Sequence, residues 1–97
     1  MEQTITLRLE VEREDDVYVA SCPDLDISSY GDTVENAYSH LKDAITLYLD
    51  TIEEDGERER IFQERGITVE DRLGSDYNVT VHPGVFVTVS RFQVGAA

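Results

Sequence analysis

"CPDLDISSYGDTVENAYSHL", residues 22–41, is the stretch on which the fold turns: ahead of it apolar residues alternate, and from Val34 onward they recur every three or four positions. Upstream, residues 4–12 ("TITLRLEVE") set Ile5, Leu7, Leu9 and Val11 on one side and Thr6, Arg8, Glu10 and Glu12 on the other. That is the pattern of a strand with one buried face. "REDD" (residues 13–16) is polar and turn-like, and "VYVASC" (residues 17–22), rich in β-branched and aromatic residues, reads as the antiparallel return strand of a hairpin. Pro23 has no N–H to give a ladder and Asp24 favours a local turn, so the second strand ends at "PDLD". "ISSY" (residues 27–30) is then a short third strand, and Gly31 ends the sheet run.

Beyond Gly31 the period is helical. Val34, Ala37, Tyr38, Leu41, Ile45, Tyr48 and Ile52 form one stripe of a helix expected from about Thr33 to about Glu54. Asp32 or Thr33 is its cap, and Glu35, three residues after Asp32, completes the spacing of a capping box. Gly56 stops the helix after the acidic run Glu53, Glu54 and Asp55. "ERERIFQERG" (residues 57–66) predicts a shorter helix with Ile61 and Phe62 inward and Gly66 as terminator. Thr68 to Asp76 is expected to be a flexible connection, and "YNVTV" and "VFVTVSRF" return to alternation around His82, Pro83 and Gly84, a Pro-Gly pair suited to a type II turn.

The expected architecture is a single α+β domain over residues 1–97, a two-layer sandwich with a core at residues 4–55. Three antiparallel meandering strands, joined by one or two C-terminal strands through a crossover, pack on one long helix and a short second one. At 97 residues one core is sustainable and two are not.

Charge narrows the partners. Twenty-one acidic against eight basic residues give a formal −13, so a nucleic acid is repelled by the average surface. Lys42 is the only lysine. Two readings of the acidity are compatible: adaptation to a high-salt cytosol, where screening mutes self-repulsion, and complementarity to a basic partner. No run approaches the roughly 18 apolar residues of a membrane span, and the N-terminus lacks a secretory pattern, so a cytoplasmic protein is expected. A single cysteine, Cys22, offers neither an internal disulfide nor a thiolate zinc set, and is expected to be a small buried residue.

The opening stretch also holds candidate catalytic side chains. Asp24, Asp26, Asp32 and Glu35 are the hard oxygen donors that a divalent-metal-dependent nuclease gathers. Their spacing does not converge, Glu10 and Glu12 alternate away from the apolar face, and Asp32 and Glu35 have local work at the helix start. Cys22, or Ser21, Ser28 or Ser29, with His40 as base would make a nucleophile pair, but a thiol in an apolar strand without a neighbouring cation is inert packing. His82 stands before a proline in a turn. No phosphate loop or metal-type histidine spacing occurs, so neither catalysis nor a cofactor is expected. On the helix, His40 and Leu47 project off the core stripe with Ala44 between them. Either the second helix or the terminal hairpin covers this flank, or a partner does.

The order of Pro23, Asp24 and Leu25, then Gly31, Thr33, Glu35 and Ala37, resembles the signature of the HicB-like antitoxins: Pro-acidic-Leu, then Gly-x-Thr-x-Glu-x-Ala opening an amphipathic helix. The likeness covers about residues 4–55. It implies a partial ribonuclease H-like fold without the nuclease carboxylates, assembly into homo-oligomers, and a small basic HicA-type toxin as partner, an mRNA-cleaving ribonuclease whose active site the antitoxin blocks. Two departures stand out. Asp26 and Ile27 follow the Pro-acidic-Leu segment where the family often has glycine, and residues 68–97, with only Arg72 and Arg91 basic, read as a hairpin rather than the operator-binding domain of many members.

Overall fold

A computed structural model of the chain describes residues 3–70, 77–82 and 85–94. Five strands and two helices follow in the order β1 (Gln3–Glu14), β2 (Val17–Cys22), β3 (Ile27–Gly31), α1 (Val34–Glu54), α2 (Arg58–Arg65), β4 (Tyr77–His82) and β5 (Val85–Val94). The sheet is antiparallel throughout, with spatial order β3-β2-β1-β5-β4. β3 and β4 are its two edges, and α1 and α2 carry the chain from one to the other across a single face, giving the two layers expected of an α+β sandwich. The Pro83–Gly84 turn and residues 71–76 of the expected connection lie outside the described residues.

The core is the alternation of β1 set against the stripe of α1. Ile5, Leu7, Leu9 and Val11 are buried with Ala20, Cys22 and Leu25, and meet Ala37, Leu41, Ile45, Leu49 and Ile52. Leu49, which the stripe read from sequence omitted, is buried, while Val34, Tyr38 and Tyr48 sit half-buried at its margins. Phe62 of α2 and Phe92 and Val94 of β5 close the core. Among the described residues one hydroxyl, that of Ser90, is fully buried, and the Tyr38 hydroxyl satisfies it. Lys42 lies 5.2 Å from the centre of the Tyr38 ring and 5.9 Å from that of Phe92, so the only lysine rests on aromatic faces at the core margin.

Two local expectations need correction. The first turn is two residues long, not four: Glu14 still pairs with Val17, and Asp15 closes the hairpin by taking a left-handed φ of 55° that aspartate tolerates. The helix cap is Thr33, whose hydroxyl accepts the Asn36 N–H at 3.0 Å, so Glu35 falls at the second helical position and the Asp32–Glu35 capping box does not form. Glu35 instead places a negative charge in the first turn, where the helix dipole favours it. The C-terminus is as expected: α1 stops ahead of Gly56 with no basic residue in its last turn, and closure comes from the backbone. The Gly56 N–H donates to Glu53 O and the Glu57 N–H to Ile52 O, a Schellman arrangement that Gly56 permits at φ 71°.

Among the described residues no helix is long and apolar enough to cross a membrane.

Candidate protein-interaction surface

Eight of the sequence-predicted residues lie at the two ends of β3, where β2 gives way to β3 and β3 to α1. Continuing the β1–β2 register would set Arg8 opposite Pro23, which has no N–H and ends the ladder. The Asp24 carboxylate takes over there, accepting the Arg8 backbone N–H at 3.2 Å. Leu25 folds into the core, and the Cys22 carbonyl accepts the N–H groups of both Leu25 (3.2 Å) and Asp26 (2.8 Å). Asp26 completes the turn at φ 57°. At the other end of β3, Gly31 lies against the first turn of α1, where Thr33 caps and fully buried Ala37 packs. Pro23, Asp24, Leu25, Gly31, Thr33 and Ala37 thus all shape backbone or core, and exposed Asp32 and Glu35 flank the cap.

The aspartate at φ 57° carries a prediction. Asp26→Gly should leave stability unchanged or raise it by up to about 1 kcal/mol, because glycine relieves the left-handed strain while losing more freedom on folding. Asp26→Val should lose about 1–2 kcal/mol, since a β-branched residue is least tolerated there. Urea unfolding of the three proteins reads the order; a valine variant as stable as the glycine one would contradict it.

The side chains that suggested chemistry are kept apart. Cys22 is fully buried, and burial pushes its thiol pKa up, the Asp24 carboxylate adding to the shift against the backbone N–H groups of Leu25 and Asp24. A protonated, enclosed thiol is a poor nucleophile. Cys22 pairs with Ile27, whereas His40 engages Tyr30, three residues farther along β3, which separates them by about 10 Å of strand. Among the described residues no three His, Cys, Asp or Glu side chains gather as a metal requires.

His40 and Leu47 have different situations. The His40 Nδ1–H donates to the Tyr30 carbonyl at 2.8 Å, tying the exposed flank of α1 to the edge strand. Leu47 is 69% exposed and Ala44 half-buried, so neither α2 nor the described part of the terminal strands covers that flank at Leu47. The Tyr30 ring is 68% exposed and stands on the opposite side of β3, over the face of the sheet away from the helices.

That far face was not singled out from the sequence. Register places Val17, Val19, Ser28 and Tyr30 on it, together with Thr6, Arg8, Glu10, Glu12 and Glu14 of β1 and Val85, Val87 and Val89 of β5. Both helices pack on the other side. Val17, Val19, Ser28, Ser29 and Tyr30 line an almost wholly apolar groove of about 350 Å³. Its signal in the sequence is "VYVA", apolar at four consecutive positions, which puts apolar side chains on both faces of β2, Val17 and Val19 on one and Tyr18 and Ala20 on the other. Comparison with protein-family models, with curated proteins and with solved structures finds no match to this chain.

Proposed function

We propose that this chain is an antitoxin of the HicB-like kind, binding a small basic mRNA-cleaving ribonuclease and covering its active site. The observation that carries the reading is the junction around β3. The seven residues that give the resemblance, Pro23, Asp24, Leu25, Gly31, Thr33, Glu35 and Ala37, lie at its two ends, where a ladder stops, a turn folds inward, a strand meets a helix closely and that helix is capped. In this reading each member of the pattern has local work at the junction.

The departure at Asp26 also weighs less than it does in the sequence. At φ 57° Asp26 holds the conformation glycine takes most readily, so the turn keeps the backbone that a glycine would give it. The order β1-β2-β3-α1 is what a partial ribonuclease H-like fold requires of this region. A formal charge of −13 steers a cationic protein toward the surface and repels nucleic acid. In this reading the protein is cytoplasmic, assembles with itself, and acts by occlusion without a metal or cofactor.

The test is co-expression with the product of an adjacent reading frame encoding a short basic protein of about 60–80 residues, followed by pull-down and growth rescue. Co-purification and rescue are the expected results. If the chain neither binds nor rescues and sediments as a stable homo-oligomer, a solitary interaction protein of the same fold replaces the antitoxin.

A further inference from the structure

We infer that the partner is gripped by the helix-free face of the sheet at its β2–β3 edge, through a cationic segment that sets apolar side chains into the groove of Val17, Val19 and Tyr30 and basic ones against Glu12 and Glu14. The inference rests on the proposed function only in taking the occupant to be a basic protein. The groove supplies the apolar half of the site: about 350 Å³ on a face that neither helix covers, bounded by an aromatic ring 68% exposed. β1 supplies the charged half. Glu12 stands directly across from Val19 and Glu14 from Val17, on the same face, where cross-strand side chains lie about 5 Å apart. Neither carboxylate has an ion pair among the described residues, whereas Glu10 is engaged by Arg8 at 3.1 Å.

Three occupants compete, and the structure separates them. A second copy of this chain would bring its own excess of carboxylates against Glu12 and Glu14, a like-charge contact in a protein of formal charge −13. A sixth strand added beside β3 would need the outward carbonyl of Tyr30, which the His40 imidazole already occupies at 2.8 Å. A cationic segment lying on the face meets neither obstacle. Its arginines find two unpaired carboxylates and the π-face of Tyr30, and its apolar residues find the valines.

The experiment maps binding on the isotope-labelled full chain by amide shift perturbation, with an eight-residue peptide alternating lysine and valine as probe and oligo-arginine of equal charge as control. Shifts should concentrate at residues 12–19 and 28–30, with the alternating peptide binding more tightly than oligo-arginine. Tyr30→Ala should weaken the alternating peptide about tenfold, and the double variant Glu12→Gln, Glu14→Gln should weaken it comparably at low salt and little at 1 M salt. All these positions are at least partly exposed, so the variants should retain the wild-type amide spectrum elsewhere. Equal binding of the two peptides, shifts centred on His40 and Leu47, or loss of the groove through self-association as concentration rises would each overturn the assignment. Where a basic neighbour protein binds the chain, unchanged affinity in Tyr30→Ala overturns the groove while leaving the antitoxin reading standing. Where no such neighbour exists, peptide binding at the groove sustains the surface and the antitoxin reading alone falls.

Discussion

Replacing Gly31 by alanine should lower stability by about 3 kcal/mol or abolish folding outright. An alanine Cβ at this position would lie 2.5 Å from the Ala37 backbone nitrogen, 2.8 Å from the Asn36 carbonyl carbon and 2.9 Å from Asn36 Cβ. All three belong to the first turn of α1 and two are backbone atoms, so relief requires moving the helix rather than turning a side chain. The general expectation for such a substitution runs the other way: where the backbone is compatible, Gly→Ala stabilises by about 0.4–1 kcal/mol by restricting the unfolded chain. Gly31 is not among the positive-φ residues, so the sign is decided by the approach of β3 to α1 and not by backbone conformation. Shifting α1 would also draw buried Ala37 and Leu41 off β1 and β2. For a domain whose total stability is of the order of 5–15 kcal/mol, the loss would be evident as a large fall in the urea midpoint. A midpoint equal to or above that of the wild type would show that helix and strand are not in the close contact described.

The strength of that contact explains which parts of the fold can be read from sequence. The alternation of β1 and the helical period of α1 are repeated over many residues, so Ile5, Leu7, Leu9, Leu41 and Ile45 declare their burial without knowledge of the partner element. The cap is different. Asp32 and Thr33 are both good capping residues, and the choice between them follows from where Gly31 brings the chain against α1, a tertiary constraint that no local propensity records. The two-residue turn at Asp15 depends on one aspartate accepting a left-handed conformation, which composition permits but does not require. The groove was hidden for a further reason. Val17 and Val19 look like core residues because apolar, β-branched residues in strands are usually buried. They line a groove only because α1 and α2 cross the same face, and that depends on the connection from one edge of the sheet to the other.

On α1 the same substitution at two leucines should separate the two faces by several kcal/mol. Leu41→Ala should cost about 2–5 kcal/mol, because Leu41 is fully buried in the core between α1 and the sheet and its truncation leaves a cavity that close packing does not fill. At roughly 4–8 °C per kcal/mol for a chain of this size, that is a fall in Tm on the order of 10–30 °C. Leu47→Ala, six residues on, should change stability by no more than about 0.5 kcal/mol, because a side chain already 69% exposed gives up little burial on folding. Leu47→Glu sharpens the contrast, since it adds charge where the folded subunit has nothing to disrupt. If it leaves thermal stability intact but dissociates the homo-oligomer or releases the basic partner, the flank formed by His40, Ala44 and Leu47 is a second contact, joined to the β2–β3 groove through the His40 bond to Tyr30. If assembly and partner binding are both untouched, Leu47 is a solvated residue on the acidic side of the helix, and the Tyr30 groove on the helix-free face is left as the proposed apolar contact. A Leu47→Ala protein destabilised as severely as Leu41→Ala would contradict the placement of α1 itself, because a helix rotated enough to bury Leu47 would carry Leu41 and Ile45 out of the core.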